Sequence, residues 1–308
     1  MSVVSVVIPS FNTERYIREA ISSAVSQGHP DLEVIVVDDG STDATADIAE
    51  SFGPPVRVFR QTNQGSGTAR NRAIAESRGD FIAFLDADDV WLPGKLDAQL
   101  AVLASDPDLG GVYTAWHVWE PAEDGRYVAP PEDSAGACEI DAHQSGWLYH
   151  HLLLDSVIFT SSLILRRRVV EAVGNFRPDL RRGQDYDYWL RLSRVTRVAK
   201  LARRFVLYRM HNASVATLHG DRNYELEIVE AALARYGAAG PDGSTVPAAR
   251  LRARRAALHE GFAYRQFWRG NMRPARHGFW QAALLRPARV KNWLYAAAAA
   301  AISGIRRK

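Results

Sequence analysis

The stretch Gly79-Asp-Phe-Ile-Ala-Phe-Leu-Asp-Ala-Asp-Asp89 joins a short apolar run to a cluster of carboxylates. Phe81 to Leu85 has the length and composition of a buried strand, and three aspartates follow within Asp86–Asp89. A second apolar run, Val34 to Val37, ends in the same way at Asp38-Asp39. Because ligands of open α/β sheets bind outside the carboxyl ends of the strands, the sequence predicts a site at this edge.

Strands and helical segments of about ten residues alternate over the first third of the chain, which predicts βαβ units in a parallel, doubly wound sheet. Asn12 and Thr13 are expected to cap the first helix, and Asp43 the second. Beyond a long loop predicted at 120–146 the chain changes character. There we expect strands at 157–165 and 204–209, helices at 167–173 and 184–195, and helices from 221 to 285 that are broken at 237–247.

Charge is distributed unevenly along the 308 residues, whose net charge is +3. Residues 248–308 hold 14 basic side chains and one acidic side chain, whereas the remainder holds 24 basic and 34 acidic ones. The longest uncharged stretch of the tail, 292–305, has 14 residues, fewer than the roughly 20 that span a bilayer. The single cysteine, Cys138, and an N-terminus without a basic leader predict a reducing, intracellular location.

Asp86 and Asp88 lie two residues apart at the end of an extended segment, so both side chains can project to the same side. Two such carboxylates repel each other unless a cation lies between them, and Mg²⁺ or Mn²⁺ prefers oxygen ligands and substrate phosphates. For Asp38 and Asp89, a turn or capping role and a role in the site both remain open.

Several motifs together resemble the inverting family 2 glycosyltransferases, which have the GT-A fold. They cover residues 3 to about 215 and are Val6-Val-Ile-Pro-Ser-Phe-Asn12, Val36-Val-Asp-Asp-Gly-Ser-Thr-Asp43, Asn63-Gln-Gly, Ala69-Arg-Asn71, 79–89, Gly174-Asn-Phe and Gln184-Asp-Tyr-Asp-Tyr-Trp-Leu-Arg191. The resemblance implies an α/β GT-A (Rossmann-like) domain with a mixed, mainly parallel sheet. We expect a nucleotide-sugar-binding half at 1–116, an acceptor-binding half at 117–220 and a basic helical region at 221–308.

The resemblance also implies roles for individual residues. Asp39 matches the aspartate that binds the nucleotide base, which favours a UDP-sugar and leaves dTDP and GDP open. Asp185 matches the catalytic base, although Gln184 replaces a glutamate that the family often has before it. A plain N-cap is the competing interpretation of Asp185, and Asp187, expected to face solvent, is the alternative base. The implied donor site is Pro9, Ser10, Phe11, Asn12, Asp39, Arg70 and the DXD motif Asp86, Ala87 and Asp88, and the implied metal ligands are Asp88, Asp86 and His211.

These residues predict a metal-dependent transfer of sugar, with Mn²⁺ or Mg²⁺, to a glycan or lipid-linked acceptor, as in the synthesis of cell-envelope polysaccharides. Asn71 and Ser214 are weaker candidates for contact with the donor. An inactive nucleotide-sugar-binding or scaffold protein and a sugar nucleotidyltransferase are the alternatives. No nucleic-acid recognition motif is present, and the oligomeric state is left open.

The basic tail predicts a helix from Val290 to Ser303, since alanine has the highest helix propensity. Trp293, Leu294, Tyr295 and Ile302, with basic residues on both sides that include Arg306–Lys308, suit the surface of an anionic membrane, so a peripheral position on its inner face is predicted. A terminal helix that packs on the protein or mediates dimerisation is the competing interpretation.

Overall fold

The computed structural model describes residues 2–128, 130, 131, 133, 135–211 and 222–305. Contacts divide the chain into two compact units, Met1–Leu152 with Ser156–Ala213 and Leu153–Asp155 with Ser214–Lys308. No compact unit begins at residue 117. The division into a nucleotide-sugar-binding half at 1–116 and an acceptor-binding half at 117–220 therefore stays a prediction. Ser214 and Arg306–Lys308, which we had singled out, lie outside the described residues.

The first unit is an α/β layer structure with short connections. Its elements are β1 (Val4–Ser10), α1 (Ile17–Val25), β2 (Leu32–Asp38), α2 (Thr45–Glu50), β3 (Val56–Arg60), α3 (Ser66–Glu76), β4 (Phe81–Phe84), β5 (Val90–Trp91), α4 (Lys95–Ser105), β6 (Leu109–Trp119), α5 (Tyr149–Leu152), β7 (Ile164–Arg166), α6 (Arg167–Val173), α7 (Gln184–Leu192) and β8 (Arg197–Arg209). Short 3₁₀ turns lie at Ala142–Gln144 and Thr160–Ser162.

Eight strands of the described chain form one sheet in the order β3-β2-β1-β4-β7-β6-β8-β5. β1 pairs in parallel with β2 and β4, and β2 with β3, so the carboxyl ends of these four strands meet at one edge. β7 runs antiparallel to β4 and β6, and β5 antiparallel to β8, while β6 and β8 are parallel. The sheet is therefore mixed and mainly parallel, as the family resemblance implied.

The core of this unit lies on both faces of the sheet. All seven residues of β1 are buried, which is typical of a central strand covered by helices on both sides. Apolar residues of α1 and α4 pack against it, among them Ile17, Ile21 and Leu103. A lysine, Lys95, is fully buried here; its Nζ donates to Gln99 Oε1 at 2.9 Å and lies 3.8 Å from the centre of the Trp91 ring. Burial lowers the pKa of Lys95 well below its ordinary value.

Several local expectations are wrong. Asn12 and Thr13 do not cap α1, which begins at Ile17, because a turn closed by the Tyr16 N–H and Thr13 C=O comes first. The strand expected at 157–165 is instead a 3₁₀ turn followed by the short β7. In this turn the Ser161 hydroxyl donates to the Asp89 carboxylate and the Ser162 hydroxyl donates to the Phe159 carbonyl. Asp43 is not the N-cap of α2, because that position is Ala44; instead Asp43 closes the turn before the helix, where its Oδ1 accepts the N–H of Thr45 at 3.0 Å.

The second unit is helical, with α8 (Tyr224–Tyr236), α9 (Ala248–Trp268), α10 (Met272–Leu285) and α11 (Val290–Ile305). Its core consists of small and aromatic side chains: Phe279 of α10 and Tyr295 of α11 stack with ring centres 5.1 Å apart, and Ala296 and Ala299 are buried beside them. Tyr295 thus points inward, so its expected interfacial position is wrong. None of the described helices is both long enough and apolar enough to cross a bilayer.

The close approach of Gly79 to β1 gives a test of the fold. A Cβ at Gly79 would lie 2.5 Å from Ser5 Oγ and 2.8 Å from the Val3 carbonyl oxygen, so Gly79→Ala forces β1 and β4 apart. We expect a loss of about 1–3 kcal/mol in the free energy of unfolding, measured by urea denaturation. Gly136→Ala, whose Cβ would meet nothing nearer than 3.7 Å, is the control. Equal stability of the two variants would contradict this packing.

Candidate active site

The loops that follow β1 and β2 are tied to each other. Asn12 donates its backbone N–H to Ser41 Oγ at 2.9 Å, and its side-chain oxygen accepts the N–H of Thr42 at 2.8 Å. Asn12 has a φ of 51°, a left-handed conformation in which asparagine is enriched. The predicted donor segment Pro9–Asn12 is therefore fixed at the carboxyl end of β1, with the Phe11 ring exposed.

The two aspartates after β2 differ in what they hold. Asp38 accepts both the backbone N–H and the hydroxyl of Ser41, which is a turn role. Asp39 is 2% exposed and fixes the loop between β3 and α3. Its carboxylate accepts three hydrogen bonds, from Gln61 Nε2 at 2.8 Å, the Gln64 N–H at 2.9 Å and the Gly65 N–H at 2.7 Å.

Arg70 brings a buried positive charge to the carboxylates. Its guanidinium, on α3, is nearly inaccessible and donates to Asp86 Oδ1 at 2.5 Å. Burial opposes its charge, but the negative charges of Asp86, Asp185 and Asp88 outweigh burial and raise the pKa of Arg70. Three predicted site carboxylates therefore act electrostatically on one cation, and Asp86 contacts it directly. Nε and Nη1 of Arg70 are buried and have no hydrogen-bond partner within the described ranges.

Asp86 is held on two sides. Its backbone N–H donates to Ser161 Oγ at 3.0 Å, and its side chain faces Arg70. Burial raises the pKa of Asp86; Arg70 counters this effect, and the Asp88 and Asp185 carboxylates add to it. The repulsion between Asp86 and Asp88 agrees with the prediction from their positions at the end of one strand, and the charge of Asp185 on α7 adds to it.

Asp88 and His211 are in direct contact. His211 Nε2 lies 2.8 Å from Asp88 Oδ2, and the imidazole packs against the Tyr16 ring at 4.6 Å between ring centres. The other ring nitrogen of His211, Nδ1, is buried and has no hydrogen-bond partner in the described part of the chain. About a quarter of the Asp88 side chain remains exposed, so one face of this pair is accessible to a ligand.

Asp89 and Arg209 fix the backbone under Asp88. Asp89, which is 1% exposed, accepts the Ser161 hydroxyl at 2.5 Å and the backbone N–H of Arg209 at 3.1 Å. Burial and the Asp88 and Asp86 charges raise the pKa of Asp89 well above its ordinary value. Asp89 thus has the structural role that we considered for it, since it holds Ser161 and the end of β8.

The Arg209 side chain contacts the backbone of Asp88, a carboxylate of α1 and three aromatic rings. Its Nε donates to the Asp88 carbonyl oxygen at 2.9 Å, and its outer nitrogen pairs with Glu19 of α1. The guanidinium carbon lies within 5.1 Å of the centres of three aromatic rings, those of Tyr16, Trp119 and Tyr127. Cation–π contacts of a buried arginine are stabilising, so Arg209 fixes the position of Asp88.

Asp185 lies in the first turn of α7, where the helix dipole favours a carboxylate. Gly183 precedes the helix with a φ of 69°, and Asp185 Oδ1 accepts only the N–H of Tyr186, at 2.8 Å, among the described residues. Gln184 donates to Ser66 Oγ of α3 at 2.5 Å. Asp187 is 13% exposed and pairs with Arg191 at 2.9 Å, so the expectation that it faces solvent is wrong.

Asn71 positions α7 through a loop. Its side-chain amide donates to the Phe176 carbonyl and accepts the Phe176 N–H, both at 2.8 Å. The Phe176 ring stacks on Tyr188 of α7 with ring centres 4.0 Å apart. Asn71 therefore has a structural role, and the contact with the nucleotide considered for it stays a prediction.

Comparison with known proteins gives the family. A sequence profile described as "Glycosyl transferase family 2" matches residues 5–132. TuaG of Bacillus subtilis, a glycosyltransferase provisionally assigned to teichuronic acid biosynthesis, is 31% identical over 198 residues, which cover 61% of this chain and 71% of TuaG. The chain belongs to glycosyltransferase family 2.

Other relatives are longer than the matched region. An uncharacterized glycosyltransferase of Rickettsia typhi is 31% identical over 211 residues, which cover 68% of this chain and 64% of the relative. A similar protein of Rickettsia prowazekii is 31% identical over 196 residues, which cover 63% of this chain and 60% of the relative. This family 2 chain thus spans less than two thirds of the length of these two relatives.

Solved structures confirm the GT-A fold. The structure of S. aureus TarS 1-349 with UDP-GlcNAc matches with a TM-score of 0.66 at 18% identity, covering 99% of this chain and 92% of that one. The mannosyltransferase PcManGT from Pyrobaculum calidifontis, in complex with GDP-Man and Mn²⁺, matches with a TM-score of 0.54 at 19% identity, covering 97% and 86%.

The residues expected to hold a divalent cation come together only in part. Within the ranges that the structure describes, no group of three or more His, Cys, Asp or Glu side chains is arranged to hold a metal ion. Asp88 and His211 are in contact, whereas Asp86 gives one oxygen to Arg70. Because Mg²⁺ is commonly bound by one or two carboxylates together with substrate phosphates, the open Asp88 carboxylate fits an ion that arrives with the donor.

Two residues that support the site, Arg209 and Ser161, were not identified from the sequence. Arg209 lies two positions before His211 at the end of β8, so its place beside this predicted metal ligand was the available signal. Ser161 holds both Asp86 and Asp89, yet it lies in an irregular Thr-Ser-Ser segment without periodicity. No sequence pattern marked it.

The Asn71 contact gives a testable prediction. Asn71→Ala removes both hydrogen bonds to Phe176 and leaves two backbone groups of a buried residue unpaired. We expect the free energy of unfolding to fall by about 1–3 kcal/mol in urea denaturation. Asn175→Ala, at an exposed position in the same loop, is the control and should change stability by less than about 0.5 kcal/mol. Wild-type stability of Asn71→Ala would contradict the structural role.

Proposed function

We propose that this protein transfers a sugar from a nucleotide diphosphate sugar to a hydroxyl group of a glycan or lipid-linked glycan, with inversion at the anomeric carbon. The observation that carries the proposal is the ion pair of Asp86 with the buried Arg70, next to the partly open Asp88 that contacts His211. The charges of Asp86, Asp88 and Asp185 all act on the Arg70 guanidinium. The fold neighbours add support, since TarS has been solved with UDP-GlcNAc and PcManGT with GDP-Man and Mn²⁺.

Asp185 is proposed as the general base. It lies in the first turn of α7, and its charge acts on Arg70 and Asp86. Within the described chain its carboxylate accepts one backbone N–H, so acceptor positions remain for a hydroxyl proton. In the proposed step the acceptor oxygen attacks the anomeric carbon as Asp185 takes its proton, and the bond from that carbon to the diphosphate breaks.

Asp88, with Asp86 and His211 beside it, is proposed to hold Mn²⁺ or Mg²⁺. A bound divalent ion would offset the negative charge that develops on the diphosphate leaving group. Nε and Nη1 of Arg70 are buried and have no hydrogen-bond partner among the described residues. Both can donate hydrogen bonds to an anionic oxygen of the nucleotide sugar.

Asp39 is proposed to recognise a ring N–H of the base, which favours UDP. An ionised carboxylate has about four acceptor positions, and loop 61–65 uses three of them. One position is left for the base, and Asn12 and Phe11 lie on the neighbouring loop. Guanine also carries a ring N–H, so GDP is the second candidate.

Two alternatives compete with this proposal. An inactive nucleotide-sugar-binding or scaffold protein would have no need for Asp185 to remain open to an acceptor beside the donor carboxylates. A sugar nucleotidyltransferase would carry a glycine-rich phosphate loop after the first strand, where this chain has Pro9-Ser-Phe-Asn12. We also propose that the basic C-terminal region attaches the enzyme to an anionic membrane surface, near a lipid-linked acceptor.

Substitution of the base tests the reaction. Asp185→Asn keeps the size of the side chain but cannot take the acceptor proton. We expect kcat for sugar transfer to fall by about 10²- to 10⁴-fold, with donor affinity unchanged in calorimetry. Asp187→Asn is the matched change on the same helix and should retain most of the turnover. If Asp187→Asn abolishes transfer and Asp185→Asn does not, the assignment of the base is wrong.

Calorimetry with UDP, dTDP and GDP, each with and without Mn²⁺, tests the donor assignment. We expect UDP to bind most tightly, and Mn²⁺ to strengthen its binding because the ion would link Asp88 to the diphosphate. Asp88→Asn should remove the effect of Mn²⁺ and leave metal-free binding unchanged. Metal-independent binding of equal strength for all three nucleotides would contradict the roles of both Asp39 and Asp88.

A further inference from the structure

A groove lies between α10 and α11 of the helical unit, and the proposed reaction does not use it. Its volume is about 580 Å³. Trp280 and Trp293 form one wall, with ring centres 5.1 Å apart in an edge-to-face contact, and alanines of α11 form the other. Arg276 and His277 lie at the rim. The groove thus combines apolar walls, one of them aromatic, with a basic rim.

Further large apolar side chains of the same two helices are exposed. Trp280 and Leu284 of α10 are half exposed, and Val290 and Leu294 of α11 are 62% and 65% exposed. These residues, together with Trp293, are named the outer patch. The opposite faces of the same helices pack into the aromatic core of the unit, so the outer patch is the side that their sequence leaves unpartnered within that unit.

The charges around the outer patch have one sign. Residues 272–305 contain five basic residues and no acidic residue. Arg289 is neutralised by Glu260 of α9, at 3.1 Å. Arg273 and Arg276 are exposed and form no ion pair within the described ranges, so their charge is available to an anionic partner.

Three occupants of such a patch can be compared by their chemistry. A second copy of the chain, related by a two-fold axis, would bring Arg273 and Arg276 towards the same residues of its partner with no acid between them. A glycan would stack on the tryptophans but would gain little from exposed Leu284, Val290 and Leu294, which favour hydrocarbon. A bilayer with anionic lipids satisfies the apolar and the basic groups together.

We propose that the outer patch is the membrane-contacting surface of this protein and binds a bilayer that contains anionic phospholipid. The inference rests on the membrane attachment put forward with the proposed function, and it assigns that attachment to α10 as well as α11. Trp280 and Trp293 lie at the level of the lipid headgroups, as tryptophans at membrane interfaces do. Leu284 and Leu294 enter the acyl boundary, and Arg273 and Arg276 contact lipid phosphates.

Vesicle flotation of the full chain tests this surface. The vesicles consist of phosphatidylcholine alone or of phosphatidylcholine with phosphatidylglycerol. We expect binding only to the anionic vesicles and its loss in high salt, because salt screens the arginines. Arg273→Glu with Arg276→Glu, and separately Trp280→Ser with Leu294→Ser, should each lower vesicle binding by at least about tenfold.

Matched controls lie on α9 of the same unit. Arg250→Glu with Arg252→Glu makes the same change of net charge away from the outer patch, and Trp268→Ser removes a tryptophan that is 76% exposed. Both controls should bind anionic vesicles like the wild type. Circular dichroism checks that each variant is folded. Hydrolysis of the donor sugar should be the same in every variant, which separates failure of this surface from failure of the proposed reaction.

Three results would overturn the inference. In the first, the full chain ignores anionic vesicles at low salt. In the second, the outer-patch variants bind vesicles as well as the α9 controls do. In the third, light scattering shows a dimer that only the outer-patch variants dissociate, or calorimetry shows a glycan bound to the same residues; the patch would then belong to that partner.

Discussion

The buried charge of Arg70 is the constraint on which the candidate site depends. Parallel strands bring their carboxyl ends to one edge, and here that edge gathers aspartates from β4 and α7 that repel one another. Arg70 makes this grouping tolerable because it lies among them and bonds Asp86. Removing one partner of such a buried pair commonly costs about 3–5 kcal/mol, so α3 is tied to the site electrostatically as well as by packing.

A second arginine, Arg209, fixes the other end of segment 86–89. Arg209 holds the Asp88 carbonyl and the Asp89 carboxylate while aromatic rings cover its guanidinium. Segment 86–89 is thus fixed from two sides, by Arg70 and by Arg209, and only the Asp88 side chain is left partly open. Such preorganisation means that the cation proposed to bind Asp88 would meet a carboxylate already in place, with little rearrangement of the protein.

The core of the helical unit is built differently, because its helices are rich in alanine and arginine and contain few large aliphatic residues. Aromatic rings supply the core instead: Tyr264, Phe267, Phe279 and Tyr295 pack edge to face or stacked. This leaves Trp280 and Leu294 outside, on a surface whose charge is entirely basic. The same residue types therefore form the core on one face and, on the other, the exposed surface that we propose contacts the membrane.

The sequence by itself determined the α/β class, the position of most strands and helices, and the residue types of the site. Periodicity and strand-end aspartates are local signals, so the short β4 and the aspartates of segment 86–89 were readable without coordinates. The predicted helix over 290–303 was also right, because alanine favours helix wherever it lies. The family resemblance added the mixed sheet, which the alternation of strands and helices alone would have made fully parallel.

Only the tertiary structure decided which side chains meet. Ser161 and Arg209 reach the aspartates across 72 and 121 residues of sequence, a separation at which no periodic pattern operates. Asp187 looked solvent-facing from its helix position but pairs with Arg191, and Tyr295 points into a core formed by α9 and α10. Helix propensity fixes that a segment is helical but not which face is buried, because burial depends on the neighbours that folding brings to it.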